Sequence, residues 1–135
     1  MRGTVFTFYT LLLVAFACGC NEQLTVSYAT AAEAKAAEAI LRGWIPSSLP
    51  TTARDIHESH DLDTNRGEGE FHFDRSESAS FKVKLALLTN DHVSRYSVID
   101  RRRWEHDGYE LYQEGHFIIA VNWSKTHAYY WVALR

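Results

Sequence analysis

Cysteine is missing from everything after residue 20. The chain has only Cys18 and Cys20, so a disulfide scaffold is excluded and the fold must be stabilised by packing. Positive charge is also scarce, with 14 Lys and Arg against 17 Asp and Glu and a formal net charge of −3. A weakly acidic surface is a poor binder of polyanions, which argues against nucleic acid as a partner. Gly-x-Ser-x-Gly, a phosphate-binding glycine loop and His-Glu-x-x-His are all absent. Without these signatures the chain reads as a non-enzyme, and no cofactor is called for. Repeats and low-complexity tracts are lacking too, so 135 residues support one domain.

What is present begins with an address. Arg2 carries the only side-chain charge of the first nineteen residues, and Val5 to Cys18 is an apolar run broken only by Thr7 and Thr10. That is the layout of a signal peptide over residues 1–19. The run is short for a bilayer span, which needs roughly 20 predominantly apolar residues. The stretch Ala17-Cys18-Gly19-Cys20 resembles a bacterial lipobox, although Ala17 stands where that motif usually has leucine. The resemblance implies cleavage before Cys20 and a lipid on its thiol. The alternative is an ordinary cleavage site followed by a soluble secreted domain. Asn21 after the cysteine, rather than Asp, fits release to the outer membrane where the cell has one. The expected location is therefore the cell envelope, either periplasmic or at the outer membrane. Loss of Arg2 with the leader moves the net charge from −3 to −4, from 13 basic and 17 acidic residues.

Residues 20–28 read as a tether and residues 29–135 as one α+β domain, an antiparallel sheet of hairpins with one or two helices on one face. Thr30-Ala31-Ala32-Glu33 is a capping box, and it predicts a helix from Ala31 to Arg42 supported by the Glu38–Arg42 spacing and stopped by Gly43. Ile40, Leu41 and Trp44 would dock it. Alternation places Ile56, Glu58, His60 and Leu62 on one side of a strand and His57, Ser59 and Asp61 on the other. Turn-forming residues from Asp63 to Gly67 and a second alternating segment at Glu70–Asp74 complete a hairpin. Ser76 to Leu88 fits both periods, and helix is preferred. Tyr109–Gln113, His116–Trp123 and Thr126–Leu134 read as three strands, with Phe117, Ile119, Val121 and Trp123 facing Tyr129, Trp131 and Ala133.

Gly43-Trp44-Ile45-Pro46, Leu49-Pro50, Ala53 to Glu58, His60 to Asn65 and Phe71-His72-Phe73 together resemble a family of small, uncharacterised bacterial envelope lipoproteins. Val121-Asn122-Trp123 and Ala128 to Trp131 look similar as well. The resemblance implies an envelope location and a single small domain, and it brings no catalytic residue.

Two clusters are candidates for binding. His57, His60, Asp61, Asp63, Asn65 and His72 hold lone pairs suited to zinc, calcium or a hydrolytic centre. On a strand, however, His57 and His60 point to opposite faces. Asp61-x-Asp63-x-Asn65 has the oxygen spacing of half a calcium loop, but Arg66 and His72 stand where such a loop needs Gly and Glu. An Asx-type turn explains the same residues. The second cluster, Trp123, Tyr129, Tyr130 and Trp131, is either cross-strand packing or an exposed patch for a glycan or another envelope protein. Arg101-Arg102-Arg103-Trp104, flanked by acids, reads as a solvated loop, with contact to an anion or a lipid headgroup as the alternative.

Overall fold

The structure, a computed structural model, describes residues 23–89 and 100–132. The leader, Cys20, and Ala133 and Leu134 of the last expected strand lie outside the described residues. Seven strands form one sheet: β1 (Gln23–Thr30), β2 (Arg54–Asp61), β3 (Arg66–His72), β4 (Ala86–Leu87), β5 (Glu110–Glu114), β6 (Phe117–Asn122) and β7 (His127–Val132). Their spatial order is β1-β2-β3-β7-β6-β5-β4, and each pairing is antiparallel. The last strand therefore returns to the middle of the sheet and lies beside β3. The helices among the described residues are α1 (Ala31–Ala36), α2 (Ser78–Lys82), which follows a 3-10 turn at Arg75–Glu77, and α3 (Arg101–His106). The molecule is mostly β, with short helices on both faces rather than one. None of the described helices is long and apolar enough to cross a membrane.

Alternation along each strand sorts the side chains between two faces. One face carries Ile56, Phe71, Tyr130, Ile119, Val121 and Tyr112, which join Ala34 of α1 and Phe81 of α2 in the main core. The other carries Leu111, Ile118 and Ala120, with Leu88 and Tyr109 beside them, and Trp104 of α3 covers this smaller cluster. Trp104 thus lifts the Arg-rich run out of the loop class into a helix capped by the Asp100 carboxylate, which accepts from the Arg103 N–H.

Of the expected tether, Gln23 to Tyr28 pair with β2 along the edge of the sheet, and residues 20–22 lie outside the described residues. The Thr30 capping box is present. Thr30 Oγ1 accepts from the Glu33 N–H, and the Glu33 carboxylate accepts from the Ala29 N–H. The helix it opens stops after Ala36, six residues short of Arg42. Glu38 takes a left-handed φ of 59°, with Glu38 N–H donating to Lys35 O and Ala39 N–H to Ala34 O. These are the two bonds of a Schellman stop, and the buried Ala34 and Ala39 supply its apolar contact. Gly43, at φ 79°, repeats the device: its N–H donates to Ile40 O, and the Trp44 N–H to Ala39 O. Of the three expected docking residues, Ile40 and Trp44 are partly buried, whereas Leu41 is 82% exposed.

The chain from Ile45 to Ala53 is fixed by two carboxylates reaching in from elsewhere. Glu114 accepts from Ser47 Oγ at 2.5 Å, from the Ser48 N–H and from Ser48 Oγ. Glu77 accepts from Thr51 Oγ1, the Thr52 N–H and Thr52 Oγ1, and these bonds, led by the Thr52 hydroxyl, hold its pKa down at about 2. Each Pro-hydroxyl-hydroxyl turn thus has its own acceptor. Ser76 to Leu88 is not one helix. Only the short α2 forms; Phe81 inserts among Phe71, Phe73 and Trp123, and the chain then pairs with the edge of β5. The β6–β7 hairpin also differs from expectation. Phe117 pairs with Val132, Ile119 with Tyr130 and Val121 with Ala128, so Tyr129 and Trp131 lie on the opposite face from Phe117, Ile119 and Val121.

Candidate functional site

Among the described residues, the second face is covered over β5, β6 and β7. Over β1, β2 and β3 those residues leave it open, and here cross-strand register assembles polar residues in rows. Ser27 pairs with His57, His57 with Glu70, and Glu70 with Tyr129. A parallel row runs Thr25, Ser59, Glu68, Trp131. A cleft of about 430 Å³ opens along these rows, with Gly69 in its lining and Trp104, Tyr129 and Trp131 as its aromatic wall. Trp104 meets Trp131 edge-on at 4.9 Å and Tyr129 at 5.1 Å between ring centroids. The volume falls within the range of small-ligand sites.

Glu70 is the hub. Its carboxylate lies 3.2 Å from His127 Nε2 and accepts the Tyr129 phenol, whose pKa burial and then this bond push up to about 12. A carboxylate only accepts, so the neutral His127 ring carries its proton on Nε2. Its Nδ1, 3.0 Å from the Tyr109 oxygen, then accepts the Tyr109 phenol proton. His72 packs beside His127 at 4.4 Å. Burial first, and then the nearby His72, lower the His127 pKa. Burial raises that of Tyr109, with Glu70 and Asp107 adding to it. At the open end, Ser27 Oγ lies 2.8 Å from His57 Nδ1, and Ser59 Oγ accepts from Gln23 Nε2 at 3.0 Å.

The six residues suspected of binding metal are dispersed. His57 borders the cleft, and His72 sits behind it against His127. His60 is on the other face, buried, with Nδ1 2.7 Å from the Glu58 carboxylate and its ring stacked on Trp44 at 4.0 Å. Asp61 Oδ1 accepts from the N–H groups of Asp63 and Thr64, the Asx turn that its spacing also allowed. Bonding to the Thr64 N–H is the main cause of its lowered pKa. Asp63 and Asn65 are exposed in the turn, where Asn65 has φ 53°. Among the described residues, no three His, Cys, Asp or Glu side chains are placed to share a metal ion.

The aromatic candidates split in the same way. Tyr130 is fully buried in the main core, and Trp123 packs on that core with its Nε1 donating to Glu110 and Tyr112. Only Tyr129 and Trp131 reach the cleft. Sequence reasoning missed Glu70, His127, Tyr109 and Trp104. The first two were signalled by period-two runs, Glu68-x-Glu70-x-His72 and His127-x-Tyr129-x-Trp131, once β3 and β7 are known to be neighbours.

No curated protein and no solved structure matches this chain. Residues 22–72 match the family model of the YbbD head domain, and that stretch contains β1, α1, β2 and β3, the strands that carry the open half of the cleft.

Proposed function

We propose that this chain is an exported protein of the bacterial cell envelope, moored by a lipid on Cys20, and that it works by binding a basic group of another envelope component rather than by catalysis. The address rests on the uncharged apolar run from Val5, the Gly19-Cys20 junction and the lipoprotein resemblance. The single observation that carries the binding reading is the make-up of the cleft. Glu68 and Glu70 lie beside a wall of Trp104, Tyr129 and Trp131, and no Lys or Arg is among the described residues that line it. Carboxylates next to the faces and edges of indole rings favour a cation carrying N–H donors, such as a lysine or arginine side chain or an amine.

The test is an NMR titration of isotope-labelled protein with an arginine- and lysine-containing peptide and, in parallel, with a neutral oligosaccharide. The peptide is expected to shift Gly69, Trp104 and Trp131 resonances, and Glu68→Gln with Trp104→Ala to abolish the response. A response confined to the sugar would move the reading to a glycan platform. Shifts outside the cleft, or binding unaffected by the two substitutions, would sink it.

A second reading, hydrolysis, is favoured by one contact. Ser27 Oγ beside His57 Nδ1 at 2.8 Å is the spacing of a nucleophile and its base. It predicts turnover of an activated ester that Ser27→Ala removes, and an inert protein would leave binding alone.

A further inference from the structure

We infer that the end of the sheet where β1 begins is a membrane-resting surface that seats on the lipid bilayer, with Leu24, Leu41 and Leu62 in the interfacial layer. The inference deepens the envelope reading and rests on the lipid at Cys20. Large apolar side chains are exposed at few described positions, and Leu24 at 48%, Leu41 at 82% and Leu62 at 50% are three of them.

The topology brings these three to one end. Leu24 pairs with His60, and His60 with Gly67. Leu62 follows directly on β2, in the turn to β3. Leu41 lies between the two Schellman stops, in a segment fastened to this same end. Its neighbour Gly43 offers its carbonyl to His116 Nε2 at 3.4 Å in the β5–β6 turn, and Trp44 stacks on His60.

The chain itself says what covers this end. Cys20 precedes Gln23 by three residues, a reach of about 10 Å at full extension. Acyl chains on Cys20 inserted in a bilayer therefore hold the start of β1 against the headgroups, and exposed leucines at that level gain by leaving water. Among the described residues, charge at this end is mixed, with Arg42, Arg66 and His116 alongside Asp61, Asp63 and Glu114, so the seat is apolar and insensitive to salt rather than electrostatic. With this end down, the sheet stands upright and the cleft on its second face stays open to the side, accessible to a partner.

The experiment uses the acylated protein reconstituted in vesicles of phosphatidylethanolamine and phosphatidylglycerol. With Cys20 blocked by lipid and Cys18 lost with the leader, Leu41→Cys, Leu62→Cys and Lys125→Cys, the last in the β6–β7 turn at the other end, each offer one thiol to a polarity-sensitive dye. The dye at residues 41 and 62 is expected to shift to the blue and lose intensity to nitroxide-labelled lipid, unchanged in high salt, while the dye at residue 125 does neither. Circular dichroism shows that each variant is folded. Dyes at residues 41 and 62 that stay as wet as that at residue 125, on protein whose Cys20 is acylated by mass spectrometry, would overturn the seat and leave the anchor standing. An unmodified Cys20 would overturn the anchor and the seat together.

Discussion

Gly69 has almost no space around its α-carbon. A methyl group there would be driven into the Tyr130 phenol on one side and the His57 carbonyl on the other. Tyr130 is fully buried, so the ring has nowhere to retreat; its hydroxyl has no hydrogen-bond partner among the described residues, and burial together with the Glu58 carboxylate raises its pKa. Gly69→Ala is expected to destabilise the protein by about 2–4 kcal/mol, as overpacking in a closed core does, lowering Tm by roughly 10 °C or more. Thermal unfolding followed by circular dichroism checks it, and a variant as stable as the parent would mean that Tyr130 has room to move. His127 makes a different prediction. Because burial and His72 depress its folded pKa, the unfolded chain takes up a proton first as pH falls below about 6.5. Stability contributed by the neutral ring is therefore complete above that value and is lost as pH drops toward the lowered folded value. Glu77 acts lower down, since its carboxylate contributes stability above the unfolded value of 4.5 that disappears on acidification toward about 2. Urea midpoints measured across pH should show two limbs. His127→Gln should flatten the upper one and Glu77→Gln the lower, at a cost of about 1–2 kcal/mol at neutral pH for this partly exposed carboxylate. A single limb, unchanged by His127→Gln, would contradict the assignment.

At the scale of elements, what the sequence made legible was local chemistry, and what it hid was partnership. The capping box at Thr30 and Glu33, the Gly43 stop, the β2–β3 hairpin with its Asx turn and the last three strands follow from neighbours a few residues apart. Alternation put His57 opposite His60 correctly. It did not reveal that β7 returns to lie beside β3, and that single fact builds the Glu70, His127 and Tyr129 hub. The register of β6 on β7 was equally hidden, because Tyr129, Tyr130 and Trp131 are apolar enough to serve either face. Helix α1 shows a propensity overruled. Ala37, Glu38 and Ala39 are sound helix residues, yet the chain must turn at Glu38 for Ala39 and Ile45 to reach the core, and a side chain is held at positive φ to do it. Glu38→Gly removes that strain and sacrifices only an exposed ion pair with Arg42 at 3.7 Å. It is expected to raise stability by about 0.5–1 kcal/mol, read as a higher urea midpoint at unchanged slope. A loss of stability would show that the wider freedom of glycine in the unfolded chain outweighs the strain relieved.

For the molecule as a whole, the question is whether residues 22–72 stand alone, as a family match over that stretch invites one to suppose. Three strands and α1 lie within it, but their buried face is completed from outside. Phe71 packs against Phe73, Phe81 and Tyr130, and every β3 residue from Glu68 to His72 pairs with β7. Cut at residue 72, the sheet would expose β3 as a bare edge and open Ile56 and Phe71 to water, in a fragment with no disulfide and too little core for its size. Residues 22–72 alone are therefore expected to be unfolded, with dispersed amide signals appearing only when residues 73–135 are added as a separate chain. A cooperative thermal transition in the short fragment by itself would show that the head-like half is an autonomous unit, with its own face for binding. The shared hub between Glu70 and His127 would then be a docking contact between two bodies rather than part of one continuous sheet.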